Sequence, residues 1–155
     1  MPRSILRPIL VATLVAGTLD ILAAVTITLL NGRAPDGMLR TVASGPFPGA
    51  TAWGTGGAAL GLLVHFVLMT VMVTVFVLGA ARWRTLWQKP LQWGLVYGLA
   101  TYVVMNLIVV PLRWPSAFPP APVSVATQLF CHIVLVGIPI ALIARRYLHR
   151  RSAFA

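Results

Sequence analysis

The chain has 155 residues, of which 59% are hydrophobic and only 9% charged, with a mean hydropathy of +0.90. Soluble domains carry roughly 25% charged residues, so this composition excludes a water-soluble surface and predicts one membrane domain over residues 1–155. The formal net charge of +10 would suit nucleic acid, but the basic residues gather at the ends of apolar segments; that placement argues for lipid headgroups as partners and against nucleic acid.

Crossing roughly 30 Å of hydrocarbon takes about 20 apolar residues at 1.5 Å rise each. Four segments qualify: about Ile5 to Leu30, Gly56 to Ala80, Leu91 to Leu112, and Val123 to Ala144. The first exceeds the roughly 7–15 apolar residues of a signal-peptide core and carries Asp20, so it reads as a retained anchor. Helices are expected throughout, because they satisfy every backbone group internally and the runs lack the alternation of barrel strands.

Basic residues at span ends set the direction. Arg3, Arg7, Arg82, Arg84, Lys89, Arg145, Arg146, Arg150 and Arg151 fall on one side; Arg33, Arg40 and Arg113 fall on the other. The predicted fold class is therefore an all-α membrane protein, an antiparallel four-helix transmembrane bundle with both termini cytoplasmic. Trp83, Trp87 and Trp93 mark one border and Trp53 and Trp114 the other, where indole rings favour the headgroup zone. The link RWRTLWQKP is short, the link RWPSAFPPAPVS is stiffened by proline, and MLRTVAS in the long first loop predicts one or two helical turns on the outer surface. The basic tail RRYLHRR, which includes a solvated His149, is expected on anionic headgroups at the cytoplasmic face.

Steps of three and four give each span one inward face. These faces are Thr13, Gly17, Asp20, Ala24, Thr28; Gly57, Gly61, His65, Met69, Met72; Gly94, Gly98, Tyr102, Asn106, Val109; and Ser124, Gln128, His132, Leu135, Pro139. Rise per residue places Asp20 and Tyr102 about 15 Å, and His65 and His132 roughly 13–14 Å, from the outer ends of their spans. These four are expected to form one layer near the midplane, with Asn106 just above it at about 9 Å depth. Gly17, Gly61 and Gly98 adjoin the layer and are expected to leave room for a small ligand.

Three readings of the layer stay open. In one, hydrogen bonds among these groups merely relieve the burial of Asp20 and fix helix register. In another, Asp20, His65 and His132, with Tyr102 and Asn106 positioning, bind or conduct a proton, an ion or a small polar ligand. In the third, His65 and His132 ligate a b-type haem. No cofactor and no metal is expected under the first two. Cys131 is the only cysteine and points about 100° away from His132 around the helix, so it packs as a small apolar residue. Met69 and Met72 read as gap-filling core. No phosphate loop, nucleophile elbow or HExxH motif is present, and the acidic residues are only Asp20 and Asp36, so no enzyme is expected. Four helices seldom enclose a transport path alone, which predicts a homo-oligomer.

The stretches LGLLVHFVLMTVMVTVF, YGLATYVVMNLIVVPL and HIVLVGIPIALIARR together resemble a group of small uncharacterised bacterial inner-membrane proteins with four spans, loosely of the YagU type. The resemblance implies a bacterial inner-membrane location and four helices, and no established reaction.

Overall fold

The computed structural model describes residues 3–152, with side chains from Ile5 to His149; the side chains of Arg3, Arg150 and Arg151, counted above for orientation, lie outside that range. Four helices are long and apolar enough to cross a membrane: Ile5–Leu30, Gly54–Arg82, Pro90–Arg113 and Pro122–His149. The chain is thus a multi-pass integral membrane protein. Each span runs at or a few residues beyond its expected ends. The additions are understandable at Pro90 and Pro122, where proline fits the first helical turn and gives up an N–H that has no partner there anyway.

Span four touches all three other spans, and span one touches spans two and four. Spans one, two and four therefore pack on one another, and span three packs on span four. Spans two and three are joined through side chains: the Tyr97 hydroxyl donates to the Met72 carbonyl at 2.6 Å, and the Phe76 and Tyr97 rings meet edge to face at 5.0 Å.

The packed core occupies one half of the bundle. Ile9, Ala12 and Ala16 of span one meet Met69, Val73, Phe76 and Val77 of span two and Val136, Ile140, Ala141 and Ala144 of span four. Two corrections to the sequence reading follow. Span four buries Cys131, Val136, Gly137, Ile140 and Ala144, whereas Leu135 and Pro139 are only half-buried. The cause is a run of wide, π-helical turns over Cys131–Gly137, whose i→i+5 bonds advance the buried face off the 3.6-residue period. In addition, Trp87 is no border anchor: it is buried, and its ring stands edge to face with His149 at 5.7 Å, so His149 is not simply solvated.

The long first loop contains the expected surface helix, Pro35–Ala43. Pro35 starts it, and Asp36 and Arg40, in its first and last turns, complement the helix dipole and pair at 3.1 Å. It lies on span two because Gly61 presents bare backbone directly to the Leu39 carbonyl and Gly57 makes room for the Arg40 side chain, while the turn that follows sets the Ala50 carbonyl on Gly57. At its far end, Arg113 of span three donates from Nε and Nη2 to the Ser44 carbonyl at 3.1 and 2.7 Å, and from Nε to Gly45 at 3.0 Å. Carbonyls past a helix end have no intrahelical donor, and this guanidinium supplies one.

Candidate functional site

The polar residues collect where the tightly packed half of the bundle gives way to the looser half. Asp20 faces span two and approaches His65, with Oδ2 3.9 Å from Nδ1. The other ring nitrogen of His65, Nε2, lies 2.9 Å from the Gly17 carbonyl, one turn back on the same span as Asp20. A carbonyl oxygen only accepts, so Nε2 carries the proton of this bond. Neutral His65 then presents a bare Nδ1 to the carboxyl group. The ring is held edge-on to Phe66 at 5.2 Å.

His132 approaches Asp20 from span four, within range of charge–charge interaction. Its Nδ1 lies 3.0 Å from the Gln128 carbonyl one turn back, so by the same argument Nδ1 carries the proton and Nε2 is bare. Tyr102 of span three closes the far side, its ring edge to face with His132 at 5.9 Å. Four helices thus contribute one residue each to a row made of two contacting pairs, His65 with Asp20 and His132 with Tyr102.

Asn106, expected just above this row, falls in a second π-helical run, Val103–Val109. It is half-buried and makes no side-chain hydrogen bond among the described residues.

The glycines do not leave ligand room. A Cβ on Gly17 would fall 2.7 Å from the Phe66 ring, and one on Gly98 would fall 2.5 Å from the His132 carbonyl oxygen. Gly61 is filled by the Leu39 backbone. Small residues in membrane helices let backbones approach, and that is their use here. Spans three and four are closed through Gly94, Gly98 and Gly137, where Gly94 would meet the Ile138 Cα at 2.8 Å. A b-type haem ligated by His65 and His132 would have to take His65 Nε2 from the Gly17 carbonyl. Among the described residues, no three His, Cys, Asp or Glu side chains converge as a metal site would need.

The row is not sealed. The side chain of Asp20 keeps 23% of its surface accessible and that of His65 12%. Electrostatically it is mostly accepting: the bare Nδ1 of His65 faces the Asp20 carboxyl group, while the ring N–H groups of His65 and His132 are turned to carbonyls. At 3.9 Å the Asp20–His65 pair is too long for a direct hydrogen bond. The carboxyl group and the bare ring nitrogens can accept protons or hydrogen bonds, and the Tyr102 hydroxyl brings a donor.

The sequence reading missed two polar side chains. Tyr97 ties span three to span two, and a phenol set mid-span among Leu, Val and Gly was a legible signal, since a buried hydroxyl needs an acceptor. Thr13 was placed on the inward face, yet its buried hydroxyl has no partner among the described residues, which no spacing rule foretells.

Comparison of the chain with protein-family models, curated proteins and solved structures found no match.

Proposed function

We propose that this chain is a non-enzymatic protein of the bacterial inner membrane, akin to small YagU-type four-span proteins, whose mid-span row takes up a proton or a small solute that donates hydrogen bonds. Its spans alternate in direction and both termini are cytoplasmic, with the basic tail on anionic headgroups. The observation that carries the reading is the mostly accepting character of the row. Two imidazoles each have one nitrogen fixed on a backbone carbonyl, which leaves the other bare, and the bare Nδ1 of His65 faces the Asp20 carboxyl group. Intramembrane carboxylates and imidazoles so placed serve proton relays and substrate pockets, since each costs energy to bury and each can change protonation. A proton, an ammonium group or a neutral donor finds several acceptors there, whereas an anion meets only the Tyr102 hydroxyl. As a conducting path the row requires a second copy, because four helices enclose little space, and a homo-oligomer is part of the proposal.

The test is flux. Liposomes carrying the protein and an internal pH-sensitive dye dissipate an imposed proton gradient, and Asp20→Asn and His65→Ala abolish that dissipation while leaving helicity intact. Failure to see flux of protons or of ammonium, methylammonium and similar donors with folded wild-type protein overturns the reading.

A second reading has its own support. The Gly17–His65 bond and the Asp20–His65 approach tie span one to span two, and such ties fix helix register without any further purpose. Under it, the same two substitutions lower stability and no flux exists to lose.

A further inference from the structure

Spans two and three diverge toward the end of the bundle that carries the surface helix, and a cavity of about 1020 Å³ opens between them. Its walls are apolar: Val64 and Val67 on span two face Met105 and Val109 on span three. The surface helix and its following loop close the top, and Arg113 and Trp114 stand at that polar end. The volume reaches the upper end of the roughly 300–1,000 Å³ typical of sites that bury a small organic molecule.

We propose that this cleft holds one phospholipid from the leaflet on which the surface helix lies, an acyl chain between the two walls and the phosphate at Arg113. Charge decides between a lipid and a second copy of this chain. Arg113 directs Nε and Nη2 to the Ser44 and Gly45 carbonyls and lies 5.4 Å over the Trp114 ring, and no carboxylate pairs with it among the described residues. Its charge is therefore held in place but not neutralised. A second copy has nothing to offer it: Asp20 lies mid-span beside His65, and Asp36 is already on Arg40. A phospholipid brings a phosphate, for which a guanidinium edge is well matched, together with an apolar chain for the walls. Basic pockets between membrane helices recognise headgroups in this way. The inference rests on the cleft and Arg113 alone and stands or falls apart from the mid-span row.

The experiment is native mass spectrometry of the whole protein released from nanodiscs of equal parts phosphatidylglycerol and a diacylglycerol glycolipid without phosphate. The expected result is one phosphatidylglycerol retained per chain, at least tenfold over the glycolipid. Val67→Trp and Met105→Trp, one from each wall, each lower retention about tenfold, whereas Leu14→Trp, on the lipid-facing side of span one, leaves it unchanged. Circular dichroism checks that each variant is folded. A readout that needs no wall variant is fluorescence: phosphatidylglycerol brominated near the headgroup end of its acyl chains quenches a component that disappears in Trp114→Phe. Equal retention of the glycolipid, retention indifferent to both wall variants, a second protein chain in place of lipid, or the absence of a quenched Trp114 component overturns the proposal.

Discussion

His65 binds span one at two points, Nε2 on the Gly17 carbonyl at 2.9 Å and Nδ1 at 3.9 Å from the Asp20 carboxyl group. Since the carbonyl fixes the proton on Nε2, one contact decides what the other can do. The ring meets the carboxyl group as a base when neutral and as a cation when charged. A double-mutant cycle over Asp20→Asn and His65→Ala, read by reversible unfolding in mixed micelles, should give a coupling of about 0.6 kcal/mol, the average for polar pairs in membrane proteins, with about 1.7 as a ceiling. Additive losses would mean that the two side chains do not interact.

Backbone closeness at the glycines makes them intolerant of a methyl group. Gly98→Ala and Gly137→Ala should each destabilise by about 1–3 kcal/mol, the cost of overpacking, because the atoms they meet belong to the opposing main chain and cannot step aside. Gly56→Ala is the control, with no atom within 4 Å of its added carbon. Equal effects at Gly56 and Gly98 would contradict this packing.

Arg113 should hold the surface helix in place. Arg113→Gln removes three hydrogen bonds from a charged donor, each contributing roughly 1.5–3 kcal/mol when well formed. The expected outcome is faster amide hydrogen exchange across Pro35–Ala43 and the following turn, with the interiors of the four spans unchanged. Uniform protection in the variant would show that the Gly57 and Gly61 contacts suffice to dock the helix.

The four spans and the surface helix were legible because length, hydropathy and proline placement act locally. The meeting of Asp20 with His65 and of His132 with Tyr102 was legible too, since rise per residue turns sequence position into depth. Where the reading failed, the cause was a change of helical period or a contact between backbones. The π-helical turns at Cys131–Gly137 exchanged Leu135 for Val136 on the buried face of span four. Glycine says that something comes close but not what: Gly61 faces the Leu39 backbone, Gly17 the Phe66 ring and Gly98 span four. Arg113 counted only as a marker of direction because its partners lie 68 and 69 residues away in sequence.

Thr13 offers a stabilising substitution. Its hydroxyl is buried without a partner, so Thr13→Val keeps the shape and removes an unsatisfied group, with an expected gain of about 1 kcal/mol in the same unfolding assay. A loss of stability instead would reveal a partner for that hydroxyl in the membrane.

Visible absorption addresses the haem reading. Purified protein should show no Soret band even after haem is supplied during expression, because His65 Nε2 is held on the Gly17 carbonyl. A Soret band lost in both His65→Ala and His132→Ala would restore that reading.

The central claim is that the mid-span imidazoles present bare nitrogens within the hydrocarbon layer, that of His65 to Asp20. Nitrogen-15 NMR of the two imidazoles in nanodiscs, in wild type and in Asp20→Asn, tests it most directly. The account predicts neutral His65 protonated on Nε2 and neutral His132 on Nδ1, with the His65 Nδ1 resonance moved once the carboxyl group is gone. Opposite tautomers, or a His65 Nδ1 resonance that ignores Asp20→Asn, would contradict it.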